Sequence, residues 1–134
     1  PKVNTVWFAK MKDSKKVLFI DSYSKDYIEK FILSTGFAGL ETKPFALYYI
    51  ISIISSDYFE KFKSNYCNGT TMEAINNQGI SEINILNPPK SILLKFNNFA
   101  KPIFEKIYQN NQEIIHLLKI RDILLSKLQS VEGQ

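Results

Sequence analysis

Histidine and cysteine are the side chains that most readily act as bases, nucleophiles or soft-metal ligands near neutral pH, and this sequence holds one of each, His116 and Cys67. His116 falls on the polar side of a helical stretch, with no Cys, Asp or Glu constellation that would make it a ligand or a base, so it reads as plain surface. A lone Cys67 excludes an internal disulfide and a Cys-rich metal site, and it fits a reducing, cytoplasmic setting. Neither residue calls for a metal or a cofactor, and none is expected.

Two short motifs approach nucleotide chemistry and fall short of it. Asn87-Pro88-Pro89-Lys90 is one residue away from the Asn-Pro-Pro-aromatic motif of adenine methyltransferases, but Lys90 stands where an aromatic would stack on a flipped base. No Gly-rich cofactor loop precedes it, and 134 residues are too few for that fold. Gly36-Phe37-Ala38-Gly39 has the spacing of a phosphate-clamping loop, a pattern that by itself more often marks a turn. Catalysis is therefore not expected. A degenerate methyltransferase built on Asn87 to Pro89 stands as a hypothesis that failure to bind the methyl donor would dispose of.

Charge leaves a polyanionic partner open without demanding one. Seventeen Lys and Arg against thirteen Asp and Glu give a formal +4, and Lys2, Lys10, Lys12, Lys15 and Lys16 face only Asp13 in the first sixteen residues. An ordinary solvated face accounts for those lysines equally well.

The elements that must position these residues follow from periodicity. One soluble domain with an appendage fits the length and composition. Val3 to Ala9 and Val17 to Ile20 are predicted strands of a hairpin turning at Asp13 to Lys16. Tyr27 to Leu33 satisfies both periods and is read as strand near Phe31. Pro44 opens an apolar helix ending near Ser55-Ser56, and Asp57 with Glu60 predicts a capping box for a second helix. That helix is expected to turn Tyr58, Phe59 and Phe62 inward and Lys61 and Lys63 outward. Ile80, Ile83 and Ile85 predict a last strand, stopped by Pro88-Pro89. The longest apolar run, Phe45 to Ile54, is too short to span a bilayer, and no signal peptide opens the chain, so a cytoplasmic protein with no membrane partner is expected. The chain opens without Met and reaches Val3, Val6, Trp7 and Phe8 at once, which predicts an N-terminally incomplete domain. The expected fold class is α+β, a small sheet-and-helix domain over residues 1–90 followed by a long helix over 91–134 that pairs in a coiled coil.

That helix carries the clearest pattern. With Ser91 as N-cap, alternate steps of three and four residues from Leu93 reach Phe96, Ala100, Ile103, Ile107, Asn110, Ile114, Leu117, Arg121, Leu124, Leu128 and Val131, all apolar but Asn110 and Arg121. A period of about 3.5 residues is that of a coiled-coil seam. Asn110 and Arg121 read as register devices, with local exposure as the competing account. Phe99, Phe104, Leu118, Ile120 and Leu125 widen the stripe beyond one partner, and Pro102 predicts a kink near Asn98. At about 1.5 Å per residue the helix is roughly 60 Å long, so its far half is expected to overhang the domain and to need a partner.

The run Gly69-Thr70-Thr71-Met72-Glu73-Ala74-Ile75-Asn76-Asn77, with Ile83-Asn84-Ile85 and Pro88-Pro89, resembles the end of a target-recognition domain in specificity subunits of type I restriction-modification enzymes. Asn111-Gln112-Glu113 and the run Ile120-Arg121-Asp122-Ile123-Leu124-Leu125-Ser126-Lys127-Leu128 resemble the helical repeat of the same family. Ser34 to Phe37 and the helices between Phe45 and Phe59 also sit where that family has comparable segments.

The resemblance implies a protein that binds double-stranded DNA and does no chemistry, while methyltransferase (modification) subunits and, through them, restriction subunits act on the DNA. It also implies a second recognition half, on the same chain or in a homodimer, held at a fixed distance by paired helices; this chain has one domain and one helix. The helix pairing would run through Leu93, Phe96, Ile103, Ile107, Asn110, Ile114, Leu117, Arg121, Leu124 and Leu128. DNA contacts would come from loop residues able to meet phosphates and base edges: Lys12, Lys15, Lys16, Ser22, Tyr23, Lys25, Ser34, Thr35, Lys43, Asn68, Thr70 and Thr71. The alternative is a coiled-coil assembly module without DNA binding.

Overall fold

The computed structural model describes residues 1–68 and 73–132, and within them the chain is α+β. Strands β1 (Thr5–Ala9) and β2 (Val17–Ile20) form the expected antiparallel hairpin, in register from Thr5 opposite Ile20 to Phe8 opposite Val17. The first strand starts at Thr5 and not at Val3 because Asn4, at φ 62°, is in the left-handed region that ends a ladder. Asp13, at φ 61°, turns the hairpin loop by the same means.

The strand read near Phe31 does not form. Tyr27–Lys30 is a single helical turn, α1, and Phe31 and Ile32 follow it exposed. The third strand is β3 (Phe37–Glu41), which pairs with the free side of β1 to give the order β2-β1-β3. A strand needs a ladder partner, and β1 offers its edge to Phe37–Glu41. The Gly36-Phe37-Ala38-Gly39 spacing is therefore no loop motif: Gly39 lies opposite Trp7 in the sheet. A Cβ on Gly39 would sit 2.6 to 2.8 Å from the indole ring, so glycine is what lets the ring lie across the strand.

After a turn at Pro44–Ala46, helix α2 (Leu47–Ile54) buries Leu47, Tyr48, Ile51 and Ile54, as expected of the apolar run. Helix α3 (Asp57–Asn65) is capped by Ser56, whose Oγ accepts from the Phe59 amide at 3.2 Å, and not by Asp57. Glu60 then lies too far along the helix to complete a capping box and bonds Lys63 instead. The expected orientation of this helix is half right. Phe59 is buried edge-on against Phe8, with centroids 5.0 Å apart, but Tyr58 is exposed and Lys63 is completely buried.

Two short strands, β4 (Cys67–Asn68) and β5 (Ala74–Ile75), pair antiparallel. Ile80 belongs to helix α4 (Asn77–Ser81), capped by Asn76, and among the described residues Ile83 and Ile85 lie in no strand. Ile80 and Ile83 are half-buried and Ile85 is exposed, so the alternation of isoleucines was a wrong sign of a ladder.

Helix α5 (Lys90–Glu132) begins one residue before the expected cap, with the Pro89 carbonyl accepting from the Ile92 and Leu93 amides, and it contains Pro102. The chain divides into two compact units, Pro1–Lys101 and the part from Pro102 on. The first three turns of α5 belong to the first unit, where Leu93 and Ala100 are buried and Phe96 meets Tyr49 edge-on at 6.0 Å. The second unit is helix alone. Among the described residues no helix is long and apolar enough to cross a membrane.

Candidate nucleic-acid interface

The antiparallel register sorts the expected DNA-contacting residues into two groups at opposite ends of β1, roughly 15 Å apart at about 3.4 Å per residue. At the Ala9 end lie the hairpin loop with Lys12, Lys15 and Lys16, the turn with Ser34 and Thr35, and Asn68. Backbone hydrogen bonds join them: Lys10 N to Gly36 O, Lys12 N to Glu73 O, and Ile75 N to Lys10 O, each at 2.9 Å. At the Thr5 end lie Ser22, Tyr23, Lys25 and Lys43, since Ile20 and Glu41 both stand opposite Thr5. Thr70 and Thr71 lie outside the described residues.

The two ends differ in charge. At the Ala9 end Lys12 bonds Glu73, and Lys15 donates to Asp57 Oδ1 at 3.0 Å. These hydrogen bonds and the opposite charges hold both ammoniums above the ordinary lysine value, and Lys15 holds the Asp57 carboxyl below its ordinary range. Lys63 fixes the loop from beneath, donating to Ser14 O at 2.7 Å and to Glu60 at 2.9 Å. Cys67 is close by, its thiol pushed up by burial and therefore protonated near neutral pH.

At the Thr5 end the loop is set by a buried carboxylate. Asp21 Oδ1 accepts from the amides of Tyr23 and Ser24 and from Ser24 Oγ, all at 2.9 Å, while Oδ2 accepts from Tyr48 OH at 2.9 Å. Asp21 is thus fully engaged inside, and Ser22, Tyr23 and Lys25 are presented outward on a fixed loop. Lys101 Nζ lies 5.5 Å from the Tyr23 ring centroid, and Lys43 and Lys90 lie 5.9 and 5.2 Å from that of Phe45. Lys90 and Lys101 were missed as candidates because the helix was read only for its apolar seam. Their separation of eleven residues, three turns of helix, put them on one face and was available as a signal.

A groove of about 560 Å3 between α2, α3 and Phe96 is lined largely by apolar side chains such as Ile53, Tyr58, Ile85 and Leu86. Among the described residues no group of three or more His, Cys, Asp or Glu is placed to hold a metal. His116 is exposed on α5. The arrangement can bind anions through ammoniums set beside aromatic rings.

Over 60 residues, 45% of this chain, the sequence is 45% identical to the type I restriction enzyme MjaIX specificity subunit of Methanocaldococcus jannaschii. The likeness is to a specificity subunit. The matched stretch covers 14% of that protein's length, so this chain corresponds to a small part of it. No protein-family profile matches the chain, and no solved structure does.

Of the expected helix-pairing positions, Leu93 and Phe96 already pack within the first unit, as described above. Ile103, Ile107, Ile114, Leu117, Leu124 and Leu128, in the second unit, are 46 to 62% exposed. Asn110 and Arg121 are exposed as well, and Arg121 forks onto Asp122.

Proposed function

We propose that this chain is a non-catalytic, DNA-reading half of a type I restriction-modification specificity subunit. The first unit binds double-stranded DNA, and the helix beyond Pro102 pairs with a second helix, of another copy or of a second recognition half. The paired helices dock methyltransferase subunits, and restriction subunits join through them. The observation that carries the reading is the 45% identity to a specificity subunit over 60 residues. It is supported by the lysine and aromatic pairs at the Thr5 end and by the unburied apolar positions of α5. An exposed row of Ile and Leu on a lone helix is a surface made for association.

Fluorescence anisotropy against random duplex DNA at two salt concentrations tests the reading. Binding that weakens steeply with salt is expected, because each neutralised phosphate releases counterions. A chain that bound no duplex, alone or with a methyltransferase subunit added, would return the protein to the second reading, a helix-paired assembly module without DNA. That second reading is favoured by one observation: Glu73 and Asp57 already occupy two of the hairpin lysines.

A further inference from the structure

We propose that the cleft beside Phe45 holds one phosphodiester link of the bound DNA strand, with Lys43 and Lys90 as its two phosphate contacts. The inference rests on the DNA-binding reading and adds a place and two residues to it. Lys43, Phe45, Thr42 and Asn87 help line a concavity of about 380 Å3 in the first unit, within the size range of small-ligand sites. Lys90 approaches the same ring from α5, so two ammoniums converge on Phe45. Both lysines are exposed, and among the described residues neither forms an ion pair. The carboxylate that lines the cleft, Glu41, is taken by Lys2 at 2.7 Å. Neither ammonium is therefore neutralised by a carboxylate among the described residues, unlike Lys12 and Lys15 at the other end of the sheet. An anion seated beside Phe45, within reach of both flexible side chains, gains charge-assisted hydrogen bonds from ammoniums that have no carboxylate partner.

The rest of the cleft suits a strand more than a bare ion. Phe45 gives an apolar floor for the adjoining sugar, and the exposed Asn87 amide offers a donor and an acceptor at the rim. Asn87-Pro88-Pro89-Lys90, which lacks the aromatic needed for base chemistry, thereby has a binding role: two prolines stiffen the link that carries Asn87 and Lys90. Such contacts fix register on the backbone and leave sequence to be read elsewhere.

The test titrates the chain and its Lys43→Gln/Lys90→Gln variant against labelled random duplex across a salt series. Affinity is expected to fall about ten- to a hundred-fold at low salt, and the slope of log K against log salt to shrink by about two. Lys43→Arg/Lys90→Arg, which keeps both charges, should bind nearly as the parent, which separates lost contacts from lost folding. Parent binding that the Gln variant leaves unchanged in affinity and slope would overturn the inference and spare the DNA reading. No salt-sensitive binding by the parent would overturn both. Free nucleotide offers the same phosphate chemistry, so unlabelled dAMP is added as competitor. Failure of millimolar dAMP to displace duplex is expected, whereas displacement at micromolar dAMP would make this a small-nucleotide site and overturn the strand assignment.

Discussion

Lys63 shows how one side chain holds the Ala9 end of the sheet. Its Nζ is fully buried and bonded to Glu60 and to the Ser14 carbonyl, so it stitches α3 to the hairpin loop that carries Lys12, Lys15 and Lys16. Removing one member of a buried pair leaves the other charged and unpaired. Lys63→Met is expected to cost about 3 kcal/mol in urea unfolding, and Glu60→Gln less, because an amide oxygen still accepts; a Lys63→Met protein as stable as the parent would contradict this account. Asp57 behaves differently because its pair with Lys15 is solvent-exposed. A depressed folded-state carboxyl pKa means the pair is intact above the ordinary value of 3.8 and is lost as pH falls through the lower folded value. Carboxyl NMR should show Asp57 titrating below 3.8 in the parent and returning towards it in Lys15→Gln. A midpoint that does not move between the two proteins would remove Lys15 as the cause.

Gly39 sets the geometry of the three-stranded sheet at the scale of elements. The Trp7 ring occupies the space of a Gly39 side chain, and its Nε1 donates to Thr5 Oγ1 at 3.0 Å. Gly39→Val must push the ring off β3, at a cost of about 1 to 3 kcal/mol. Trp7 is the single tryptophan, so its emission should shift red as the ring moves into water. Unchanged emission with unchanged stability would show that the ring has another place to lie. Helix α5 divides its labour along its length. Its first turns lend Leu93 and Ala100 to the core of the first unit and Lys90 and Lys101 to the Thr5 end, while Ile103 onward keeps its apolar row exposed.

At the scale of the whole molecule, the proposed association and the proposed DNA binding are assigned to different residues. In the proposed reading, Leu117→Lys/Leu124→Lys puts like charges into the pairing row and should turn an associating chain into a monomer by sedimentation at tens of micromolar. The circular dichroism melt of the first unit should be retained. A parent protein that is already monomeric there would remove the case for pairing through this face.

Much of the organisation was legible in the sequence because it depends on local pattern. The β1–β2 hairpin, the apolar α2 and the long α5 each repeat one period over many residues, so the signal accumulates. The residues that resemble a specificity subunit were visible in the same way, and a 60-residue identity of 45% to such a subunit accords with them. What the sequence could not display was pairing at a distance. Whether Phe31 or Phe37 begins a strand depends on which segment reaches the edge of β1, and whether Lys63 faces water depends on a hairpin carbonyl forty-nine residues earlier in the chain. The division of the binding candidates into two ends likewise follows from strand register, and the approach of Lys43 and Lys90 to one Phe45 ring follows from the packing of the start of α5. Local pattern marked the β1–β2 hairpin, α2 and α5, but the third strand, burial, ion pairing and the grouping of the lysines belong to surfaces that exist only once those segments have packed.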